Sequence, residues 1–279
     1  MRKMDIREIQ DISLEMLRHI DEFCRNHGIR YFLDSGTLLG AARSGKFILW
    51  DDDADIVMPR PDYDRFVREY EDTEKFRLFA PSRGNCYLHY ARLCEMEKTY
   101  FKQKLRWTFE DPGVGVDILP MDGAPDSLEE YDKFQALIVK VRNKIWKLRQ
   151  VISKKTWALR SDWFGFTKDC AHWAIWVFLR INFSWMMRLN LWRIRRLRLK
   201  YPYETSAHCF YIAVITGRKK YWHHDWFADV DYLDLCGEKF PAPAGYDERL
   251  TAEYGDWRTP PPESARLSHE CNQTMWWRD

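Results

Sequence analysis

Four carboxylates fall within five residues in Trp50-Asp51-Asp52-Asp53-Ala54-Asp55-Ile56-Val57-Met58, and an apolar run follows at once. If residues 53–58 form a strand, Asp53 and Asp55 share one face, because side chains alternate with period two. Two carboxylates on one face repel each other and resist desolvation unless a cation neutralises them. A hard divalent ion with oxygen ligands, Mg²⁺ or Mn²⁺, meets that need. An exposed acidic turn ahead of a strand is the other reading. Asp51 and Asp52 can serve as a further ligand, an N-cap or a supporting group, and the strand register decides which. A second acidic position is Asp117, which interrupts the apolar run Val114-Gly115-Val116-Asp117-Ile118-Leu119. A buried, unpaired carboxylate is costly, so Asp117 calls for a metal or a positive partner.

The third chemical element precedes these two. Ile29-Arg30-Tyr31-Phe32-Leu33-Asp34 is rich in strand formers and leads directly into Ser35-Gly36-Thr37-Leu38-Leu39-Gly40-Ala41-Ala42-Arg43. Ser35 or Gly36 can open a short helix whose free N–H groups and dipole suit a phosphate. Gly36 admits close approach of a ligand, Thr37 adds a hydroxyl, and Arg43 offers a bidentate clamp.

The flanking elements must hold these groups in place. Asp5 with Glu8 makes an N-cap pair, and Ile9, Ile12, Met16, Ile20 and Phe23 keep helical spacing up to Gly28. The short helix after the Gly-Thr turn is expected to end near Gly45. Pro61 opens another helix, with Arg60 and Arg65 in reach of a phosphate or, for Arg65, on a solvated face. Strands are expected at 76–80, 87–93 and 114–119, with His89 and Arg92 near the middle of the second. Asp122 reads as a turn residue before Gly123.

Ser127 with Glu130 starts a further helix, and residues 128–200 read as mostly helical, with no Gly or Pro between Pro125 and Gly165. From Trp173 to Leu199, aromatic and aliphatic residues alternate with Arg180, Arg188, Arg193, Arg195, Arg196 and Arg198. Residues 173–200 therefore suit an anionic membrane surface or a lipid-linked acceptor, or else form a helical subdomain with a solvated basic face. Beyond Pro202 a strand is expected at 210–214. Lys219, Lys220, His223 and His224 read as a polar loop. Tyr246 and Tyr254 are available for stacking on a ligand or for the core.

A chain of 279 residues with 44 basic and 42 acidic side chains has a formal charge of only +2, which excludes the strong positive field of a general nucleic-acid binder. Fourteen Trp favour sugar, lipid or membrane-surface contacts, or a Trp-rich core. The first residues carry no apolar signal core, and no run of eighteen apolar residues occurs. Seven scattered cysteines without a C-x-x-C pair suit a reducing cytoplasm. Cys86, His89 and Cys94 match no standard zinc spacing, and buried thiols account for the cysteines better.

Three segments together carry a resemblance: Gly36-Thr37-Leu38-Leu39-Gly40-Ala41-Ala42-Arg43, Phe47-Ile48-Leu49-Trp50-Asp51-Asp52-Asp53-Ala54-Asp55-Ile56, and Arg60-Pro61-Asp62-Tyr63-Asp64-Arg65-Phe66. They closely resemble the LicD family of phosphotransferases, related to the fukutin proteins, over about residues 5–125 with a further piece at 240–269. Ser44-Gly45-Lys46 replaces the usual His-Lys-Gly order, and Leu49 stands where Pro is common. The resemblance implies an α/β (α+β) fold: a nucleotidyltransferase-like mixed sheet flanked by helices, with a mainly helical middle insertion. It divides the chain into a catalytic core at 1–125, a helical subdomain at 126–205 and a C-terminal segment at 206–279 that packs back on the core.

The implied activity is transfer of a phospho-alcohol such as phosphocholine from a CDP-choline-like donor to a hydroxyl of a glycan or lipid-linked glycan, with release of CMP. Asp53 and Asp55 would then hold Mg²⁺ (or Mn²⁺), and the resemblance places the third carboxylate at Asp117, which can also take the proton of the attacking hydroxyl. Gly36, Thr37 and Arg43 would position the donor phosphates, with Asp51, Asp52, Arg60, His89 and Arg92 as additional candidates. Asp122 also matches a family position. A nucleotidyltransferase that releases pyrophosphate and an inactive nucleotide-binding relative are the alternatives. The expected location is the cytoplasm, at the inner face of the cytoplasmic membrane if the Trp/Arg-rich helices touch lipid.

Overall fold

A computed structural model describes residues 1–103, 107–108, 110–153, 170, 173–175, 177–179, 181–212, 220–266 and 274–279. Helix α1 (Ile6–His27) begins at the expected capping box, with Asp5 accepting from the Glu8 N–H and Glu8 returning the bond, and it ends at Gly28 in the left-handed conformation. Its stripe of Ile9, Met16, Leu17 and Ile20 is fully enclosed in the main core. Strand β1 is only Phe32–Leu33, shorter than the expected 29–34. The Arg30 N–H, ahead of the strand, bonds the Asp62 side chain rather than a neighbouring strand, so the ladder starts late.

Helix α2 (Ser35–Ser44) follows and stops at Gly45, again left-handed. Strand β2 (Ala54–Pro59) comes next, then α3 (Arg60–Glu69), β3 (Phe76–Phe79), β4 (Ala91–Glu95), β5 (Thr99–Phe101) and β6 (Gly115–Ala124). The 87–93 expectation shifts to 91–95 because the Tyr87 N–H is taken by the Trp107 carbonyl instead of by a strand partner. β6 outruns its expected end at 119 because it changes partners. Its first half pairs with β4, and its last three residues pair with β7 (His208–Phe210). Ala213 and Val214 of the expected 210–214 strand lie outside the described residues.

The sheet runs β1-β2-β6-β4-β3, with β7 and β8 (Trp222–His223) joined to the end of β6. β2 and β6 are parallel, and β1, β4 and β7 run antiparallel to their neighbours. The fold is thus mixed α/β, as expected from the sequence. Helices α4 (Leu128–Ser153) and α5 (Phe183–Arg198) share a separate apolar cluster with Ala124, Phe210 and Ile212 at the end of β6 and β7. The hairpin β9–β10 (Val230–Leu235 and Glu238–Pro243) turns through Cys236 and Gly237, both at positive φ. Helix α6 (Tyr246–Tyr254) then returns to the core, and β11 (Met275–Trp277) pairs with β5. Among the described residues no helix is long and apolar enough to cross a membrane.

Candidate active site

The parallel pairing of β2 with β6 sets Asp55 directly beside Asp117, and the antiparallel pairing of β6 with β4 sets Asp117 beside Arg92. Three chemical groups therefore stand in one row across the sheet. Arg92 Nη1 lies 3.2 Å from Asp117 Oδ1. The Arg92 guanidinium also faces the rings of Phe101 and Trp107, at 5.6 and 5.8 Å from their centroids. It can lie across β6 because Gly115 has no side chain: a Cβ there would stand 2.5 Å from Arg92 Nε.

Burial and mutual repulsion raise the carboxyls of this row. Asp55 is held well above the usual carboxylate range, first by burial and then by the charges of Asp53, Asp117, Asp34 and Asp51. Asp117 is raised by burial and by Asp53, against the opposing pull of Arg92 and a hydrogen bond donated by Tyr90. Asp51, in the loop ahead of β2, is pushed up to about 9 by burial, by the charge and hydrogen bond of Asp53 and by the charge of Asp52. Asp52 is fully enclosed, whereas the Asp117 side chain keeps 16% of its exposure.

The donor set is all hard oxygen, and its charge is unbalanced in the way a divalent cation corrects. Asp117 Oδ1 is buried and accepts no hydrogen bond, so beyond its ion pair with Arg92 it has lone pairs to give. As the side chains stand, no three acidic, histidine or cysteine groups among the described residues are already closed to metal-ligand geometry.

The start of α2 supports this row from behind. Ser35 adopts a left-handed φ of 50°, an uncommon conformation for a non-glycine residue. Gly36 is required by the acidic loop itself, since a Cβ would fall 2.0 Å from Asp51 Oδ2. The buried Thr37 hydroxyl accepts from the Asp55 N–H at 3.0 Å and so fixes the entry of β2. From α1, Gln10 Nε2 donates to the carbonyls of Ile48 and Asp51 at 2.9 and 2.8 Å, pinning the same loop. Gly36 and Thr37, expected around donor phosphates, thus directly abut the carboxylates. The Arg43 guanidinium is spent on the Trp257 carbonyl, with Nε at 2.8 Å.

Asp34, the residue preceding this turn, is one that sequence reasoning passed over. Its carboxylate does not cap α2 but accepts from Arg249 Nη2 at 2.7 Å, with both side chains enclosed. Arg249 also pairs with Glu253, which in turn holds Lys220, and Lys220 Nζ donates to the Tyr211 hydroxyl at 3.0 Å. Tyr211 closes the circuit on Ser35 Oγ at 3.1 Å. Lys220 is therefore buried rather than part of a polar loop, because Glu253 and the rings of Tyr211 and Trp222 receive its charge; Lys219 lies outside the described residues. The i, i+4 spacing of Arg249 and Glu253 was the one signal available in the sequence.

A second buried cluster corrects two further expectations. Asp122 is not a turn residue: it lies inside β6, 1% exposed, where Arg60 grips both oxygens (Nε 2.6 Å, Nη2 2.9 Å) and Arg198 donates as well. Arg60 is directed at Asp122 and away from the acidic row. His89 offers its carbonyl to Arg198, and its ring contacts the Ile212 carbonyl at 3.3 Å. Burial and the Arg198 charge hold that ring down at about 3, so it is neutral. Of the His89–Arg92 pair, only Arg92 reaches the carboxylates.

Paired carboxylates on adjacent strands, backed by a short helix start, form an acidic centre at the start of β2 and β6. Comparison with known proteins narrows this. Residues 28–172 match the family described as LicD/FKTN/FKRP, nucleotidyltransferase domain. Over 284 aligned residues, 98% of each chain, the sequence is 29% identical to the lipopolysaccharide cholinephosphotransferase LicD of Haemophilus influenzae. The chain belongs to the LicD family and is a LicD-type phosphotransferase.

Proposed function

We propose that the enzyme transfers phosphocholine from CDP-choline to a hydroxyl of a lipopolysaccharide-type glycolipid and releases CMP. The reading places it in the cytoplasm, meeting its acceptor at the membrane face. The observation that carries it is the side-by-side register of Asp55 and Asp117 behind the Ser35-Gly36-Thr37 turn, in a chain similar over its length to a lipopolysaccharide cholinephosphotransferase. Free thiols at the six described cysteines suit a reducing compartment.

Asp53, Asp55 and Asp117 are the residues that would hold Mg²⁺ or Mn²⁺, which when bound neutralises charge on the donor diphosphate. Around it the chain's own groups do the rest. The acceptor oxygen attacks the phosphorus of the phosphocholine group, the bond from that phosphorus to the CMP oxygen breaks, and the hydroxyl proton passes to Asp117. Arg92 sets the orientation of Asp117 and holds its charge in check. Thr37 and Gln10 fix the loop that carries Asp51 to Asp55, so that positioning is already established when donor arrives.

Release of CMP from a panel of CDP-alcohols, with Mg²⁺ or with EDTA and a glycolipid acceptor, tests the proposal. Metal-dependent release from CDP-choline is the expected result. Pyrophosphate release from CTP, or equal turnover in EDTA, would overturn it.

A further inference from the structure

The overall charge of +2 conceals a strong segregation. Residues 133–200 contain 17 of the 44 basic residues and only two of the 42 acidic ones, Asp162 and Asp169, leaving 27 basic and 40 acidic residues for the remainder. This basic stretch contains most of α4 and all of α5. One stripe of α5, Phe183, Met187 and Ile194, faces the apolar cluster under the sheet. A helix buried along one stripe ordinarily presents polar residues on the other.

Here the outer stripe reads Trp185, Arg188, Trp192, Arg195, Arg196 and Leu199, all exposed. Trp185 and Trp192 keep 66% and 52% of their surface in solvent, and the Arg196 guanidinium lies 4.9 Å from the Trp192 ring. Leu137 and Trp146 on α4 are exposed as well, and so is Ile181 at 77%. Between the two helices runs a groove of about 350 Å³ with walls of Leu148 and Leu189 and a rim of Lys144, Lys147 and Arg193. Large apolar side chains interleaved with arginine, next to a cation-rimmed apolar groove, have the chemistry of an interfacial surface.

We propose that the outer face of α4 and α5 docks on an anionic lipid bilayer, with the tryptophans and Leu199 entering the interface and the arginines meeting lipid phosphates. Charge complementarity selects this occupant: a protein partner would need a strongly acidic surface, whereas an anionic bilayer presents one uniformly. The inference extends the reading of a glycolipid acceptor, yet it is tested without it, because vesicle binding requires neither donor nor acceptor.

The test is co-sedimentation of the full chain with phosphatidylglycerol/phosphatidylethanolamine vesicles and with phosphatidylcholine vesicles. Binding to the first, weakened by salt, and not to the second is expected. The double variants Trp185→Ser/Trp192→Ser and Arg188→Ser/Arg195→Ser should each lower partitioning at least tenfold while the melting temperature stays within about two degrees. Failure of the unaltered protein to bind anionic vesicles overturns the proposal. So does undiminished binding by both variants. Binding confined to vesicles doped with a phosphorylated glycolipid also overturns it, since the face would then recognise the acceptor's own phosphates.

Discussion

Asp55 on β2 is the direct register partner of Asp117 on β6, so two carboxylates 62 positions apart in the sequence stand at neighbouring places on parallel strands, with Arg92 next in the row. Neither strand alone assembles the centre. The row is a product of pairing, and each of its members acquires its properties from the others.

Asp55→Asn and Asp117→Asn should each reduce CMP release by at least about a thousandfold, as expected when a group that stabilises transition-state charge is lost. The amide is nearly isosteric, so both variants should fold; Asp55→Asn relieves repulsion and should keep or raise the melting temperature, whereas Asp117→Asn also removes the charge facing the buried Arg92 and should lower it. The Mg²⁺-dependent rise in melting temperature should disappear in both. Turnover near the native level in either variant would remove that residue from the centre.

The acidic loop sets an unusual pH dependence for the metal-free protein. In the folded state Asp51 is raised to about 9, far above its ordinary 3.8. Between those values the folded chain holds a proton that the unfolded chain has released, so this group's contribution to stability falls as pH rises through the window. The slope is at most about 1.4 kcal/mol per pH unit for each such proton. Urea midpoints of the EDTA-treated protein at pH 5, 7 and 8.5, compared with Asp51→Asn, should show the variant gaining relative stability as pH rises. A difference that is flat or reversed in sign would contradict the burial of Asp51 beside Asp53.

Thr37 is expected to act on Asp55 rather than on substrate alone. Thr37→Val removes the acceptor of the Asp55 N–H and should cost about 1–3 kcal/mol of stability. Its kcat should fall more than its KM rises, because the entry of β2 is no longer fixed. Thr37→Ser, which keeps the hydroxyl, should restore most of both. Steady-state kinetics of the pair separate this role from simple packing, which the serine would not rescue.

Asp122 carries a structural prediction. Removing its charge by Asp122→Asn takes the shared carboxylate from Arg60 and the buried Arg198, and the loss of a buried pair is on the order of 3–5 kcal/mol. Thermal unfolding measures it directly. Replacing the half-exposed Asp64, which lies 3.4 Å from Arg60, should change stability by less than about 1 kcal/mol.

The chemistry of the site was more legible in the sequence than its architecture. Asp53, Asp55 and Asp117 stood out because carboxylates at the edge of, or inside, apolar runs demand compensation wherever the strands finally lie. The caps of α1 and the end of α2 were legible because Asp5, Glu8, Gly28 and Gly45 act on their immediate neighbours. What was hidden depended on distant partners. Arg30 delays the start of β1 by turning to Asp62, and Asp122 is enclosed in a strand where Arg60 and Arg198 arrive from two helices. Lys220 looked solvated until Glu253 and Tyr211 closed over it. Asp34 carried no local signal at all, since its partner is 215 positions away.

That last pairing has a consequence for how the enzyme is made. During synthesis the turn at Ser35 leaves the ribosome well ahead of the guanidinium that balances Asp34, which lies 215 positions further along the chain. Such long-range closure is slow and comes late in folding. A chain interrupted before residue 249 retains an uncompensated charge beneath its reactive loop, a cost that disfavours the folded loop and exposes the fragment to proteolysis. Balance of the Asp34 charge is thus withheld until residue 249 has been made.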